Sequence, residues 1–315
     1  MSKESKRRDK FSPITVVMLV LLSVYTFALL FMLLWALMQV FKFPLDFNKN
    51  PIWFPSNAKG QNGWTFINFK ILAAYTNTEW MPATASQPSV SLVEVFINSL
   101  SYALGGSLVN AGVTCLMAYL TARYAYAYSK LIYSIVIVVM VVPIVGAQAS
   151  EIEVLTMLGL YNTRFGFIIL KAGFVGMYFL VFYETFKSMP MTYSEAAMID
   201  GASDWYIMTK ICLPLVVNVF TTVTLITFIQ YWNDYQMAML YMPDYPTLSY
   251  FLFQVQHQTQ EVYVDGLPFG MKSIRSEFVP IKMTATVVLM TPILAIFIAL
   301  HKRLMGNLSI GGIKG

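Results

Sequence analysis

Four consecutive residues near the end of a long apolar run combine aromatic rings with hydrogen-bonding groups: Tyr231, Trp232, Asn233 and Asp234. Amides and carboxylates can bind hydroxyl groups, and aromatic rings can pack on the apolar face of a sugar ring. Polar groups inside apolar segments are costly and tend to mark pathways through a membrane. The group is therefore a candidate lining for the path of a hydroxylated solute. The alternative for Trp232 is an anchor at the membrane interface.

Three more polar side chains interrupt neighbouring apolar runs. Gln148 and Glu151 follow Pro143, which predicts a kink, and Lys171 lies inside the next run. A lysine in such a position needs a partner or must extend to the interface. Glu151 and Glu153 in the neighbouring span are candidate partners, and extension of the side chain to the interface is the alternative. We list Gln148, Glu151 and Lys171 as further pathway candidates, with simple exposure to outer water as the alternative for Glu151.

The composition identifies an integral membrane protein. Of 315 residues, 57% are hydrophobic and only 12% are charged, about half the charged share of ordinary globular proteins. The net charge of +5 is therefore attributed to positive residues on the cytoplasmic side of the membrane, and nucleic-acid binding is not expected. Cys115 and Cys212 lie in different predicted elements, which argues against a disulfide, and the two histidines have no metal-binding spacing.

Helix-capping residues recur in a polar segment between two of the apolar runs. Thr192 and Glu195 have the spacing of a capping box, which predicts a helix that starts just after Thr192. Gly201 can adopt the left-handed turn that ends a helix, and Ser203 can cap a second helix. Pro214 predicts the start of the next element. The segment should form two short helices joined at Gly201.

This segment, residues 189–214, resembles the EAA loop of the membrane subunits of binding-protein-dependent ABC importers. The matching residues are Glu195, Ala196, Ala197, Gly201, Ile211, Leu213 and Pro214. In that family the loop docks in a groove of a cytoplasmic ATPase and transmits its motion to the pore. The resemblance implies the same coupling role for these seven residues. Small alanines would allow close approach, and apolar contacts are expected from Ile199, Trp205, Ile207 and Met208.

The apolar runs predict six membrane spans, and the resemblance implies an all-α, type I ABC importer permease fold. Basic residues crowd the first ten positions, so the positive-inside rule places both termini and the 189–214 loop in the cytoplasm. The first run is too long for a cleaved signal peptide and is interpreted as a span. The predicted spans are 14–40, 95–122, 131–155, 165–186, 215–239 and 279–300. The predicted regions are a cytoplasmic N-terminal segment 1–13, the first transmembrane helix 14–40, an extracytoplasmic connection 41–92, a permease transmembrane domain 93–300 that contains the cytoplasmic loop 189–214, and a cytoplasmic tail 301–315.

Further motifs are similar to the MalG-like branch of carbohydrate permeases, notably Trp232-Asn233-Asp234-Tyr235 and the tail that begins His301-Lys302-Arg303. The tail departs from that branch at residues 308–310, and the 41–92 connection matches little. The resemblance implies a bacterial plasma-membrane importer with a second permease, so a heterodimer, together with ATP-binding subunits, an extracytoplasmic solute-binding protein and a carbohydrate substrate.

The chain itself has no Gly-Lys dipeptide and hence no P-loop. We expect no enzymatic activity and no cofactor in this chain, with ATP and Mg²⁺ bound by the partner ATPase. Three alternatives stay open: an ABC permease for a non-sugar solute, a secondary transporter with ion-coupling residues and broken spans, and a membrane scaffold or sensor without transport.

Overall fold

The computed structural model describes residues 13–56, 63–77, 90–124, 126–142 and 146–308. The basic residues before Pro13, the predicted kink residue Pro143 and the end of the tail from Ser309 lie outside the described residues. Contacts divide the chain into two units, residues 1–75 with 259–287, and residues 76–258 with 288–315.

The described residues are mostly helical, as predicted. The α-helices are α1 Pro13–Val40, α2 Pro44–Lys49, α3 Ile67–Asn77, α4 Leu92–Arg123, α5 Ala127–Val141, α6 Gln148–Met157, α7 Arg164–Leu170, α8 Met177–Lys187, α9 Thr192–Ile199, α10 Asp204–Tyr206, α11 Leu213–Asn233, α12 Tyr235–Tyr241, α13 Leu248–His257 and α14 Val279–Leu308. A π-helical segment, Ile207–Cys212, connects α10 to α11. One element departs from the all-α prediction: strands β1 Glu261–Tyr263 and β2 Ser273–Arg275 pair antiparallel, with Val262 opposite Ile274.

Four helical stretches in the described residues are long and apolar enough to cross a membrane: Pro13–Val40, Leu92–Arg123, Asp204–Asn233 and Val279–Ile296. They correspond to the predicted first, second, fifth and sixth spans. The fifth ends at Asn233, earlier than predicted, because Asp234 leaves the helical conformation and caps α12.

The predicted third span is divided into two helices, in agreement with the kink expected within it, whereas the predicted fourth span was wrong as a continuous helix. The third consists of α5 and α6, with Gly146 in a left-handed conformation (φ 86°) before α6. The fourth consists of α7 and α8, separated by a non-helical segment that contains Gly173. Glycine is poorly suited to a helix interior because of its conformational freedom, and hydropathy averaged over a window does not register such a break.

In the larger unit, α4 is the central helix and packs against α7, α8 and α11. Three of its alanines, Ala103, Ala111 and Ala118, are fully buried, which lets neighbouring helices approach closely. Near the C-terminal end of α4, Tyr119 and Cys115 join Phe182, Phe186 and Val216 in an apolar core. Cys115 and Cys212 are both free and buried, in agreement with the expectation of no disulfide.

In the smaller unit, the chain after α1 folds around a buried lysine. The Lys42 side chain is fully buried, and its ammonium group donates hydrogen bonds to the carbonyl groups of Asn50 and Trp53. The Asn68 amide donates to the carbonyls of Val40 and Lys42, at 2.7 and 2.8 Å. These bonds fix the loop after α2 and leave Trp53 74% exposed.

Candidate functional site: the 189–214 loop and a polar cluster

The joint of the 189–214 loop is a Schellman turn, as Gly201 predicted. Gly201 has a φ of 81°, and its N–H donates to the Met198 carbonyl at 3.0 Å. The N–H of Ala202 donates to the Ala197 carbonyl at 2.9 Å. This bond pair is the usual end of a helix at a left-handed residue. A β-carbon at Gly201 would meet nothing within 4 Å, so within the chain the glycine is required by backbone angle alone.

Ser203 caps the next helix as predicted, because its hydroxyl accepts a hydrogen bond from the Tyr206 N–H at 3.3 Å. The capping box at Thr192 was wrong. Thr192 is already the first residue of α9, so its hydroxyl cannot precede the first turn, and Met191 occupies the cap position without a side-chain bond. The carbonyl of Met191 accepts from the N–H groups of Ser194 and Glu195 instead.

The loop separates an outward face from an inward face. Glu195 and Ala196 are exposed, whereas Ala197 packs partly against the apolar core. Of the four residues expected to supply apolar contacts, Ile199 is 87% and Trp205 69% exposed. The expectation was wrong for Ile207, which is 2% exposed, whereas Met208 is half-buried and packs partly against the core. Residues on both sides of the Gly201 joint, including Ala197, Tyr206 and Ile211, line a concave surface.

The second helix of the loop does not stop before the fifth span. Helix α10, the π-helical segment and α11 form one uninterrupted helix. Pro214 lies at its α11 junction, where it lacks an N–H and its ring would crowd the carbonyl four residues earlier. The wider π-turn relieves this conflict, and the Leu213 N–H bonds the Met208 carbonyl, five residues back. Leu213 and Pro214 are exposed, and Ile211 is half-buried.

One residue that the sequence reasoning did not select joins α4 to the loop. The Arg123 guanidinium, at the last position of α4, donates to the Met189 carbonyl at 3.0 Å and to the Ser194 hydroxyl at 3.1 Å. It also contacts the Met191 sulfur at 2.9 Å. The signal in the sequence is limited to a basic residue at a helix C-terminus, which is favourable in any helix.

Away from the loop, a polar cluster forms around Lys171: Tyr102, Phe167, Lys171, Tyr231 and Asp234. The Lys171 ammonium lies 4.0 Å from an Asp234 carboxylate oxygen, and their side chains are 12% and 23% exposed. The predicted pairing of Lys171 with Glu151 or Glu153 was therefore wrong in the partner. The Tyr102 hydroxyl donates to the same carboxylate at 3.2 Å.

Three aromatic rings surround the Lys171 ammonium, with centroids at 4.8 Å for Tyr231, 5.2 Å for Phe167 and 5.7 Å for Tyr102. Cation–π attraction favours this position. The rings of Tyr102 and Phe167 are stacked at 4.1 Å. A β-carbon at Gly106 would lie 3.2 Å from the Tyr231 ring, so this glycine makes room for the cluster.

The turn that carries Lys171 is held by α4. The Asn110 amide donates to the carbonyl of Lys171 at 3.1 Å and to that of Gly173 at 2.9 Å. Lys171 thus lies in the break between α7 and α8, and Asp234 lies in the break between α11 and α12. Asn110 connects the first break to α4, and Tyr102 connects the second.

The other pathway candidates are distributed around this cluster. Glu151 is half-buried and accepts a hydrogen bond from the Tyr241 hydroxyl, and burial together with this carboxylate raises the pKa of Tyr241. Gln148 is half-buried at the start of α6. Asn233 is exposed, with its amide bonded to the Ile229 carbonyl at 2.8 Å. Trp232 is only 1% exposed and donates to the Leu289 carbonyl at 3.0 Å.

The whole chain can be compared with characterised proteins. It is 25% identical to the diacetylchitobiose uptake system permease protein NgcG of Streptomyces coelicolor, over 96% of this chain and 89% of that protein. Several of its curated homologues are carbohydrate ABC transporter permeases. Another is the sulfoquinovosyl glycerol transport system permease protein SmoH of Agrobacterium fabrum, 25% identical over 91% of this chain and 89% of that protein. No protein-family model matches the chain.

These permease relatives also include the maltose/maltodextrin permease MalG of Vibrio parahaemolyticus, 23% identical over 80% of this chain and 82% of that protein. The relatives are transporter subunits and not enzymes. The fold matches a chain of a bacterial ABC transporter that imports the acidic polysaccharide alginate, with a TM-score of 0.66 and 18% identity, over 93% of this chain and 98% of that chain. At this identity the match supports the permease fold alone.

Proposed function

We propose that this chain is one permease subunit of an ATP-driven ABC importer and forms half of the translocation pore for a carbohydrate. The observation that carries the proposal is the 189–214 loop, where the seven matching residues fold as two helices about a Schellman turn. Its partners would be a second permease, a pair of ATP-binding subunits and an extracytoplasmic binding protein. ATP and Mg²⁺ would be bound by the ATPase.

The exposed side of the loop suits a protein partner. Ile199 and Trp205 are large, exposed apolar residues on either side of the Gly201 joint, where a partner that docks on the loop could bury them. Glu195 is exposed on the same short helix as Ile199 and can meet a basic group. Ala196 presents a small surface that permits close approach. We assign these residues to docking, and Ala197, Ile211, Leu213 and Pro214 to the rigid connection behind them.

The proposed topology has six spans in a bacterial plasma membrane, with both termini and the 189–214 loop in the cytoplasm. The third and fourth spans would each cross as two helices, α5 with α6 and α7 with α8. Non-helical backbone at membrane depth is tolerated where protein surrounds it. The Asn110 bonds to the Lys171 and Gly173 carbonyls supply such protection for the second break.

We propose that the polar cluster around Lys171 lines part of the solute path. It combines aromatic faces, a carboxylate and an ammonium group on the helix breaks, and Tyr231 is half-buried beside exposed Asn233. Glu151 and Gln148 extend the polar surface. Several of the sequence relatives are sugar permeases, which favours a carbohydrate over other polar solutes. Trp232 is packed away from this path and is assigned to stabilisation.

The test is co-purification. The tagged chain is expressed with the genes that flank its own, extracted in mild detergent, and its bound proteins are identified. The informative variant is Gly201→Asp. Its matched control is Gly266→Asp, since Gly266 has the same φ of 81°, is exposed, and offers a β-carbon equally open space. We expect an ATPase and a second permease with the wild type and the control, and less ATPase with Gly201→Asp.

Purification of the wild-type chain without an ATPase would overturn the importer and return attention to a secondary transporter, in which broken helices also occur. Equal retention of the ATPase by both glycine variants would remove Gly201 from docking. Uptake of labelled sugars by cells depleted of ATP at constant ion gradients separates the energy sources, because an ABC importer then stops while an ion-coupled carrier continues.

A further inference from the structure

The contacts of α4 connect the 189–214 loop with the polar cluster at three points along one helix. Arg123 holds Met189 and Ser194 at the loop. Asn110 holds the turn at Lys171 and Gly173, and Tyr102 holds Asp234. Helix α4 is continuous from Leu92 to Arg123. At a rise of about 1.5 Å per residue, Arg123 and Tyr102 are roughly 32 Å apart along its axis.

We propose that Arg123 is a positioning residue for coupling: it fixes the docking loop to α4, and α4 carries the displacement of the loop to the Lys171–Asp234 pair. This proposal rests on the proposed importer function. It makes α4 a second mechanical connection, in addition to the direct helical continuity between the loop and α11.

The chemistry of the Arg123 contact suits this task. A guanidinium is planar and offers several N–H groups in a rigid fork. Here one terminal nitrogen binds the chain just before α9, and the other binds a side chain in the first turn of α9. Because the two bonds lie on either side of the start of α9, they restrain the orientation of α9 as well as its distance from α4. Ser194 is itself 6% exposed, and both bonds are partly buried.

The far end of α4 is equally constrained. The Asn110 amide bonds two carbonyls in the break between α7 and α8, and the Tyr102 hydroxyl bonds the carboxylate that pairs with Lys171. A shift of α4 along its axis must therefore change the geometry on both sides of the ion pair. Because α4 also packs on α8 and α11, such a shift would act on the break and the fifth span together.

The experiment uses the complete importer in proteoliposomes with its solute-bound binding protein. Solute transported per ATP hydrolysed is measured, together with basal ATP hydrolysis and the amount of ATPase bound. The variants are Arg123→Ala, Arg123→Lys, Ser194→Ala, which removes one acceptor with little change in volume, and the double variant of Arg123→Ala with Ser194→Ala. The control is Lys130→Ala, an exposed positive charge in the neighbouring helix α5.

We expect Arg123→Ala to lower transport per ATP by about tenfold or more, the factor that corresponds to loss of a charge-assisted hydrogen bond. ATPase retention and basal hydrolysis should stay near wild type. Arg123→Lys should keep only part of the wild-type transport per ATP, since a single ammonium lacks the fork of the guanidinium. Ser194→Ala should lower transport per ATP by less than Arg123→Ala does, and in the double variant the two losses should not add. Lys130→Ala should behave as wild type.

The proposal is overturned if Arg123→Ala couples as well as Lys130→Ala while the ATPase stays bound. It is also overturned if the losses in Arg123→Ala and Ser194→Ala add fully, because the two residues would then act separately. Ser194→Ala keeps the test decisive if Arg123→Ala does not assemble. Failure of the wild-type complex to hold an ATPase or to hydrolyse ATP would instead refute the importer function, and this inference with it.

Discussion

Removal of either charge from the Lys171–Asp234 pair should destabilise the protein more than removal of both. The two groups are 4.0 Å apart and mostly buried. Opposite unit charges at this distance attract by about 4 kcal/mol at an effective dielectric constant of 20. Desolvation offsets much of that gain, so an intact pair adds little net stability. A single buried charge left without its partner costs about 3–5 kcal/mol.

The two single variants should differ. In Lys171→Met, the Asp234 carboxylate still accepts from the Tyr102 hydroxyl and from the Met237 N–H at 3.0 Å. In Asp234→Asn, the Lys171 ammonium is left against three aromatic rings. We therefore expect Asp234→Asn to cost about 4 kcal/mol, Lys171→Met about 3 kcal/mol, and the double variant less than either single one.

The assay is equilibrium unfolding of the purified protein in mixed micelles, analysed as a double-mutant cycle. Lys130→Met serves as the control for loss of an exposed lysine and should change the free energy of unfolding by less than about 0.5 kcal/mol. Additive costs of the two single variants would refute the reasoning, because they would show that the two charges do not interact. A double variant less stable than both single variants would do the same.

Two further substitutions test how neighbouring parts are held. Trp232→Phe removes the indole bond to the Leu289 carbonyl and should lower the free energy of unfolding by about 1 kcal/mol with transport unchanged. A large loss of transport at normal stability would instead assign Trp232 to the solute path. Lys42→Met removes the ammonium bonds to the carbonyls of Asn50 and Trp53 and should lower the free energy of unfolding by about 2 kcal/mol. Limited proteolysis should then cut residues 50–56 faster than in the control Lys49→Met, whose lysine is exposed. Equal cleavage would show that Lys42 does not hold this loop.

The features that the sequence predicted well depend on neighbours in the chain. Gly201 and Ser203 determine the turn and the cap of the 189–214 loop within a few residues, so their types were sufficient. The long apolar helices were predicted for the same reason. The capping box at Thr192 failed although it is local, because α9 begins one residue earlier and the Met191 carbonyl, not the Thr192 hydroxyl, accepts the hydrogen bond from the Glu195 N–H.

The features that the sequence did not predict depend on distant contacts. Lys171 pairs with Asp234 rather than Glu151 because the break before α8 turns it toward the end of α11, and periodicity within one span carries no such information. Arg123 contacts residues 66 and 71 positions later. Trp232 sits among polar neighbours in sequence, yet it packs against Phe96 and Phe228, which only the assembled helices determine.

The π-turn before Pro214 also sets the rotation about the helix axis between two surfaces of one helix, the surface that contains Trp205 and the surface that contains Tyr231. One additional residue in a helix rotates everything on one side of it by about 100° relative to the other side. The direction in which Trp205 faces and the direction in which Tyr231 faces are therefore set separately, although both belong to the helix Asp204–Asn233. Deletion of one residue from the π-helical segment would therefore change the direction of Trp205 relative to Tyr231 by about 100°.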